Sequence, residues 1–139
     1  MRLLATVNGR LIDSHQLTLF DVLLLDFLAN SGNSAVRKSE LAAALMLAPS
    51  RVAQQIGRLQ ARGLVSRGPT RFDRRGVLVT ITRDGRALAD VAIKTYAQEI
   101  RTHYLGHMSP EQMIALSDSC CQIGTPLKTA KRPAKFRRM

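Results

Sequence analysis

The sequence predicts a mainly α-helical fold with one small β-hairpin. Apolar residues recur at helical spacing in six separate segments, and one stretch, Val77 to Thr82, is apolar or β-branched at every position. Gly and Pro fall at the joints between these segments, as at Pro49, Gly63 and Pro110.

Leu3, Leu4, Val7, Leu11 and Ile12 predict a first helix over residues 2–14, weakened by Gly9. Thr18 is a good N-cap for a second helix reaching Asn30, with Asp21 in its first turn. Phe20, Leu23, Leu24, Phe27 and Leu28 form its expected apolar face. A third helix spans about Lys38 to Leu47, with Leu41, Ala42 and Leu45 inward. Pro49 is pre-organised for the first position of a fourth helix, which runs to about Arg62 on a Val52, Ile56, Leu59 stripe. Gly63 follows it as a C′ glycine.

Leu64 to Arg67 reads as a short strand, Gly68 to Gly76 as a basic loop, and Val77 to Thr82 as the returning strand. From Arg83 or Asp84 a long helix carries Leu88, Val91, Ala92, Tyr96, Ile100 and Tyr104. Ser109-Pro110-Glu111-Gln112 has the pattern of a capping box, and the helix after it is expected to stop at Gly124-Thr125-Pro126.

The chain has 139 residues, 45% of them apolar, which suits one folded domain. Its longest nearly apolar run, Val22 to Ala29, contains Asp26 and is far shorter than the roughly 20 residues of a membrane-spanning helix. No signal-peptide core follows Met1-Arg2-Leu3-Leu4, and the only cysteines, Cys120 and Cys121, make no disulfide framework. The expected compartment is the reducing cytoplasm, in association with the nucleoid. Inert thiols are favoured over a redox switch, because the nearest charge is Asp118 and not a basic group.

The formal net charge is +11, and its distribution is uneven. Residues 37–86 carry eleven basic and three acidic side chains, and residues 128–139 carry six basic and none acidic. The segments flanking the middle block are nearly neutral. An anionic polymer is the natural partner, double-stranded DNA before a membrane surface, since the block has no long helix with a broad apolar face.

Two short helices joined by a tight turn and followed by a basic hairpin make a winged helix-turn-helix. The second helix of such a pair enters the major groove. Its outer face holds Ser50, Arg51, Ala53, Gln54, Arg58 and Arg62, where Arg can read guanine and Gln adenine. Arg37 and the loop residues Arg71, Arg74 and Arg75 complete the expected DNA-binding set. Asp73, two residues before Arg75, is close enough to orient that guanidinium, and a narrow A·T-rich minor groove attracts Arg.

On these residues the chain resembles the MarR (multiple antibiotic resistance) family of bacterial regulators. The matching stretch is Glu40-Leu41-Ala42, Leu45, Pro49-Ser50, Val52 and Leu59, then Gly63-Leu64-Val65 and Arg67. It continues through Asp73-Arg74-Arg75-Gly76, Ile81-Thr82 and Gly85-Arg86. The resemblance implies a homodimer built on the first, fifth and sixth helices, and a repressor on a pseudo-palindromic operator that a small effector releases. It also implies that Arg75 enters the minor groove with Asp73 holding it. Two positions depart from the family pattern: Ala48 stands where Ser or Thr usually caps the recognition helix, and Gly57 where a polar residue is usual.

The expected organisation is one domain over residues 1–127, with a DNA-binding winged helix at about 32–86. Dimerisation helices are expected at about 2–14 and 84–123, and a disordered basic tail at 128–139. Phe20, Leu24 and Tyr96 are candidates for an effector pocket. Glu99, His103 and His107 fall at i, i+4 and i+8, a spacing that can seed a zinc site. Gly106 and the preference of histidine for helix C-termini favour the reading without a metal. No catalytic motif or cofactor loop occurs, so a non-enzyme without cofactor is expected. The competing function is an architectural protein that coats DNA with little sequence choice; a protein–protein module leaves the basic block unexplained.

Overall fold

The computed structural model describes residues 2–32, 34–69 and 77–129. The elements run α1 (Arg2–His15), α2 (Leu19–Asn30), β1 (Val36–Arg37), α3 (Lys38–Leu45), α4 (Pro49–Ala61), β2 (Val65–Pro69), β3 (Val77–Ile81), α5 (Arg83–His103), a 3₁₀ turn (Leu105–His107) and α6 (Pro110–Thr129). They divide into two compact units, Met1–Ile100 and Arg101–Met139.

The first unit is organised around one core. Val7 and Leu11 of α1, Val22, Leu24, Leu25 and Leu28 of α2, and Val52, Ile56 and Leu59 of α4 are all at most 1% exposed. Fully burying each such side chain contributes roughly 1.5–3 kcal/mol. Three antiparallel strands in the order β1-β3-β2 close the core beside the helices. β1 pairs Val36 with Val79, and β2 pairs Val65 with Ile81 through to Pro69 with Val77.

Helix starts follow local chemistry. Asp21 N–H donates to Thr18 Oγ1 and Thr18 N–H donates to Asp21 Oδ2, the reciprocal pair of a capping box. Ser109 and Gln112 repeat the device at the head of α6. Gly63 takes φ +73 after α4, with Leu64 N–H on Leu59 O and Gly63 N–H on Gln60 O, a Schellman closure.

One joint fixes how β3 delivers the chain to α5. Thr82 Oγ1 donates to Gly63 O at 2.6 Å and accepts from Gly85 N–H at 3.0 Å. Thr82 N–H meets Leu64 O at 3.0 Å. Gly85 is required here: a Cβ on it would lie 2.0 Å from Leu64 O.

Four expectations change. The hairpin is a three-stranded sheet, because the two-residue β1 adds to β3 and is too short to show a period. The buried face of α2 is centred on Val22, Leu25 and Leu28, while Phe20 is 44% exposed; Asp21 draws the N-terminus inward by its hydrogen bonds. α3 ends at Leu45, two residues early, in a left-handed Met46 at φ +54. α6 passes Gly124 and Pro126 to reach Thr129, so the stretch expected as tail from residue 128 begins inside a helix. A proline in a helix interior costs about 3 kcal/mol through a lost hydrogen bond and a clash with the preceding turn, and α6 runs on through it. Residues 130–139 lie outside the described residues.

The second unit comprises the end of α5, the 3₁₀ turn and α6. Ile114, Leu116 and Ile123 of α6 are 63%, 38% and 66% exposed. No helix among the described residues is long and apolar enough to cross a membrane.

Candidate nucleic-acid interface

The two helices of the helix-turn-helix are joined by Met46-Leu47-Ala48. The join is tight because α3 closes on itself: Met46 N–H meets Ala43 O and Leu47 N–H meets Ala42 O. A methionine in this left-handed position costs roughly 1–2 kcal/mol. Ala48 offers no side-chain cap, and Pro49 starts α4 at once.

The α4 face turned to the core holds Val52, Ile56 and Leu59; the opposite face leaves Ser50, Arg51, Gln54 and Arg58 exposed. Arg37 is exposed on β1, at the foot of α3, and pairs with Leu78 of β3. Arg71, Asp73, Arg74 and Arg75 lie outside the described residues, and β2 and β3 lead up to them.

α4 is fastened to the corner between α1 and α2 at two points. Asp21, 4% exposed, accepts from Gln55 Nε2 and Arg58 Nη2, both on Oδ1 and both at 3.2 Å. Arg62 donates to Gln16 O at 2.7 Å and to His15 O at 3.2 Å, capping the end of α1. Sequence reasoning missed Gln55, the contact of Arg62 with the end of α1, and the second role of Asp21. The Thr18-to-Asp21 spacing signals a cap, but nothing local signals partners on a helix 34 and 37 positions away. Arg58 is thus both exposed, at 59% of its side chain, and tied to a buried carboxylate.

The remaining candidates scatter. Phe20 borders a cavity between α1, α2 and α4, whereas Leu24 is fully buried core and Tyr96 packs half-buried against that core. Glu99 pairs with Arg10 at 3.6 Å. α5 ends at His103 and His107 falls in the separate 3₁₀ turn, so the helical spacing of Glu99, His103 and His107 is broken. Among the described residues no three His, Cys, Asp or Glu side chains gather as a metal-binding group. Cys120 and Cys121 are both exposed.

Residues 15–76 match the family model described as MarR family. The chain is similar to AbsC, a MarR-family transcriptional regulator of Streptomyces coelicolor: 26% identity, TM-score 0.78, covering 93% of this chain and 86% of that one. It is similar to BpsR of Bordetella bronchiseptica at 28% identity and TM-score 0.75, covering 94% and 87%. The chain resembles MarR-family transcriptional regulators. A further MarR-family regulator from Streptomyces coelicolor, solved in complex with DNA, shares the fold with TM-score 0.81 at 22% identity, covering 96% and 84%. No curated protein sequence matches the chain. The chain has a mainly helical winged-helix fold with a small three-stranded sheet. Its helix-turn-helix is α3 and α4, and its wing is the β2–β3 hairpin.

Proposed function

We propose that the protein is a homodimeric repressor on a pseudo-palindromic operator, and that a small effector releases it. The observation that carries this reading is α4. Its apolar face is locked into the core, and its free face presents Ser50, Arg51, Gln54 and Arg58 from within a block of eleven basic residues. Gln54 and Arg58 read bases; Ser50, Arg51, Arg37 and the wing arginines Arg71, Arg74 and Arg75 hold phosphate or the minor groove, with Asp73 orienting Arg75. The basic residues after α6 add phosphate contact without choice of sequence. α1, α5 and α6 pair two copies, which supplies cover for the exposed Leu4, Ile12, Val91, Ile114 and Ile123. Release by a small molecule is supported by BpsR, whose structure explains regulation of its DNA binding by 6-hydroxynicotinic acid. The protein works without cofactor or catalysis, alongside the chromosome.

The test is protection of the DNA upstream of its own gene, with and without a panel of phenolic and hydroxypyridine acids. A footprint with two half-sites about one helical turn apart is expected. Equal affinity for operator and random DNA at every salt concentration rejects this reading in favour of an architectural coat.

A further inference from the structure

Not every cation of the basic block faces outward. Arg62 and Arg86 each lay a guanidinium on backbone carbonyls at the end of a helix. Arg86, in the first turn of α5, donates from Nη1 to Ala29 O at 3.2 Å and from Nη2 to Gly32 O. These carbonyls close α2 and begin the turn after it, where helix geometry leaves acceptors unmet and a cation is favoured. A planar fork can hold two acceptors at once, which a lysine ammonium does not match.

The two ends of this bridge differ. Arg86 springs from the corner that Thr82 and Gly85 make rigid. Its own N–H meets Thr82 O at 2.9 Å, and Gly85 beside it sits against Leu64 O. Gly32, at φ +69, lies shortly before β1. β1 has two residues, Val36 opposite Val79 and Arg37 opposite Leu78. So short a ladder does not secure its own register, and a slip of one residue would turn buried Val36 outward and exposed Arg37 inward. What fixes β1 must therefore act at its ends. α3 starts directly after Arg37. Before β1, the grip of Arg86 on Gly32 ties the incoming chain to the corner where β3, the pairing partner, passes into α5.

We propose that Arg86 is a positioning residue for DNA: by clamping the end of α2 it holds β1 in register, and so keeps Arg37 facing a phosphate. Arg86 itself faces its own backbone and contacts no DNA in this reading. The phosphate role of Arg37 rests on the repressor reading above; the clamp does not.

The experiment measures binding of the full chain to a random-sequence DNA duplex as a function of salt, for Arg37→Ala, Arg86→Ala and the double variant, each at a temperature where circular dichroism shows it folded. Arg37→Ala should flatten the salt slope by about 0.9, one phosphate contact. Arg86→Ala should flatten it by the same amount, and the double variant by about 0.9 again, not about 1.8. A double variant near 1.8 would make Arg86 a phosphate contact in its own right, and an unchanged slope in Arg86→Ala would confine it to the fold; either overturns the proposal. Arg86→Lys keeps the charge without the two-carbonyl grip, and should bind as weakly as Arg86→Ala. It keeps the test open if the alanine variant misfolds, and wild-type affinity in Arg86→Lys also overturns the proposal. Without DNA, amide exchange across β1–β3 should quicken by at least about tenfold in Arg86→Ala or Arg86→Lys, with β2–β3 unchanged. Unaltered β1 exchange overturns the clamp. A wild-type chain that binds no duplex refutes the DNA reading and with it the role of Arg37, while quickened β1 exchange still upholds the clamp.

Discussion

Asp21 and Arg58, thirty-seven positions apart, meet at 3.2 Å between the first turn of α2 and the exposed side of α4. The carboxylate is 5% exposed and the guanidinium side chain 59%, so the pair joins a buried anchor to a wet, movable arm. The same carboxylate caps α2 through Thr18 N–H and holds Gln55. One buried anion therefore fixes both where α2 starts and how α4 is turned.

Removing that anchor should be far worse than removing the arm. Asp21→Ala deletes the capping box and leaves Gln55 without its acceptor, at a cost of about 2–4 kcal/mol. Arg58→Ala should cost under about 1 kcal/mol, because its charge is well solvated. Urea unfolding of both variants and of the double variant measures this. Equal costs for the two single changes would contradict the anchor-and-arm description.

Two glycines should respond in opposite directions to the same substitution. Gly85→Ala forces Leu64 O or α5 to shift and should destabilise by about 1–3 kcal/mol. Gly57→Ala meets only open space and should stabilise by up to about 1 kcal/mol. Thermal melts decide it, and a stabilised Gly85→Ala would show that the joint at Thr82 is looser than its distances suggest.

How far the sequence speaks for itself varies by element. Thr18, Pro49, Gly63 and the Ser109–Gln112 pair act locally, and their helices begin and end where those residues say. β1 was illegible because two residues carry no period, and its strand character comes from pairing with β3. The outer face of α4 was readable from the Val52, Ile56, Leu59 stripe, whereas the Asp21 network was not, since it joins residues that only the fold brings together. Of the effector-pocket candidates, Phe20 borders the cavity between α1, α2 and α4, while Leu24 is packed in the core.

Gln54→Ala should weaken the best operator by about 1–3 kcal/mol and relax choice at one base position. Binding measured on a set of single-base operator variants gives the answer. A uniform loss on every sequence reassigns Gln54 to the DNA backbone.

Deleting residues 130–139 removes five Lys and Arg side chains. Operator and random DNA should weaken together, and the salt slope should flatten by up to about 0.9 per lost phosphate contact. A changed ranking of operator variants would mean that this segment reads sequence or shape.

In solution the particle should have twice the 15.3 kDa mass of one chain. Light scattering at micromolar concentration tests this, and a particle of single-chain mass rejects the dimer.

The hydroxyl of Thr82 serves two masters at once, the glycine turn that ends α4 and the first turn of α5. Neither end can fray without releasing the other. The amides of the last turn of α4 and the first turn of α5 should therefore exchange with deuterium as a single cooperative block, at one common opening free energy, although some twenty residues of chain separate them.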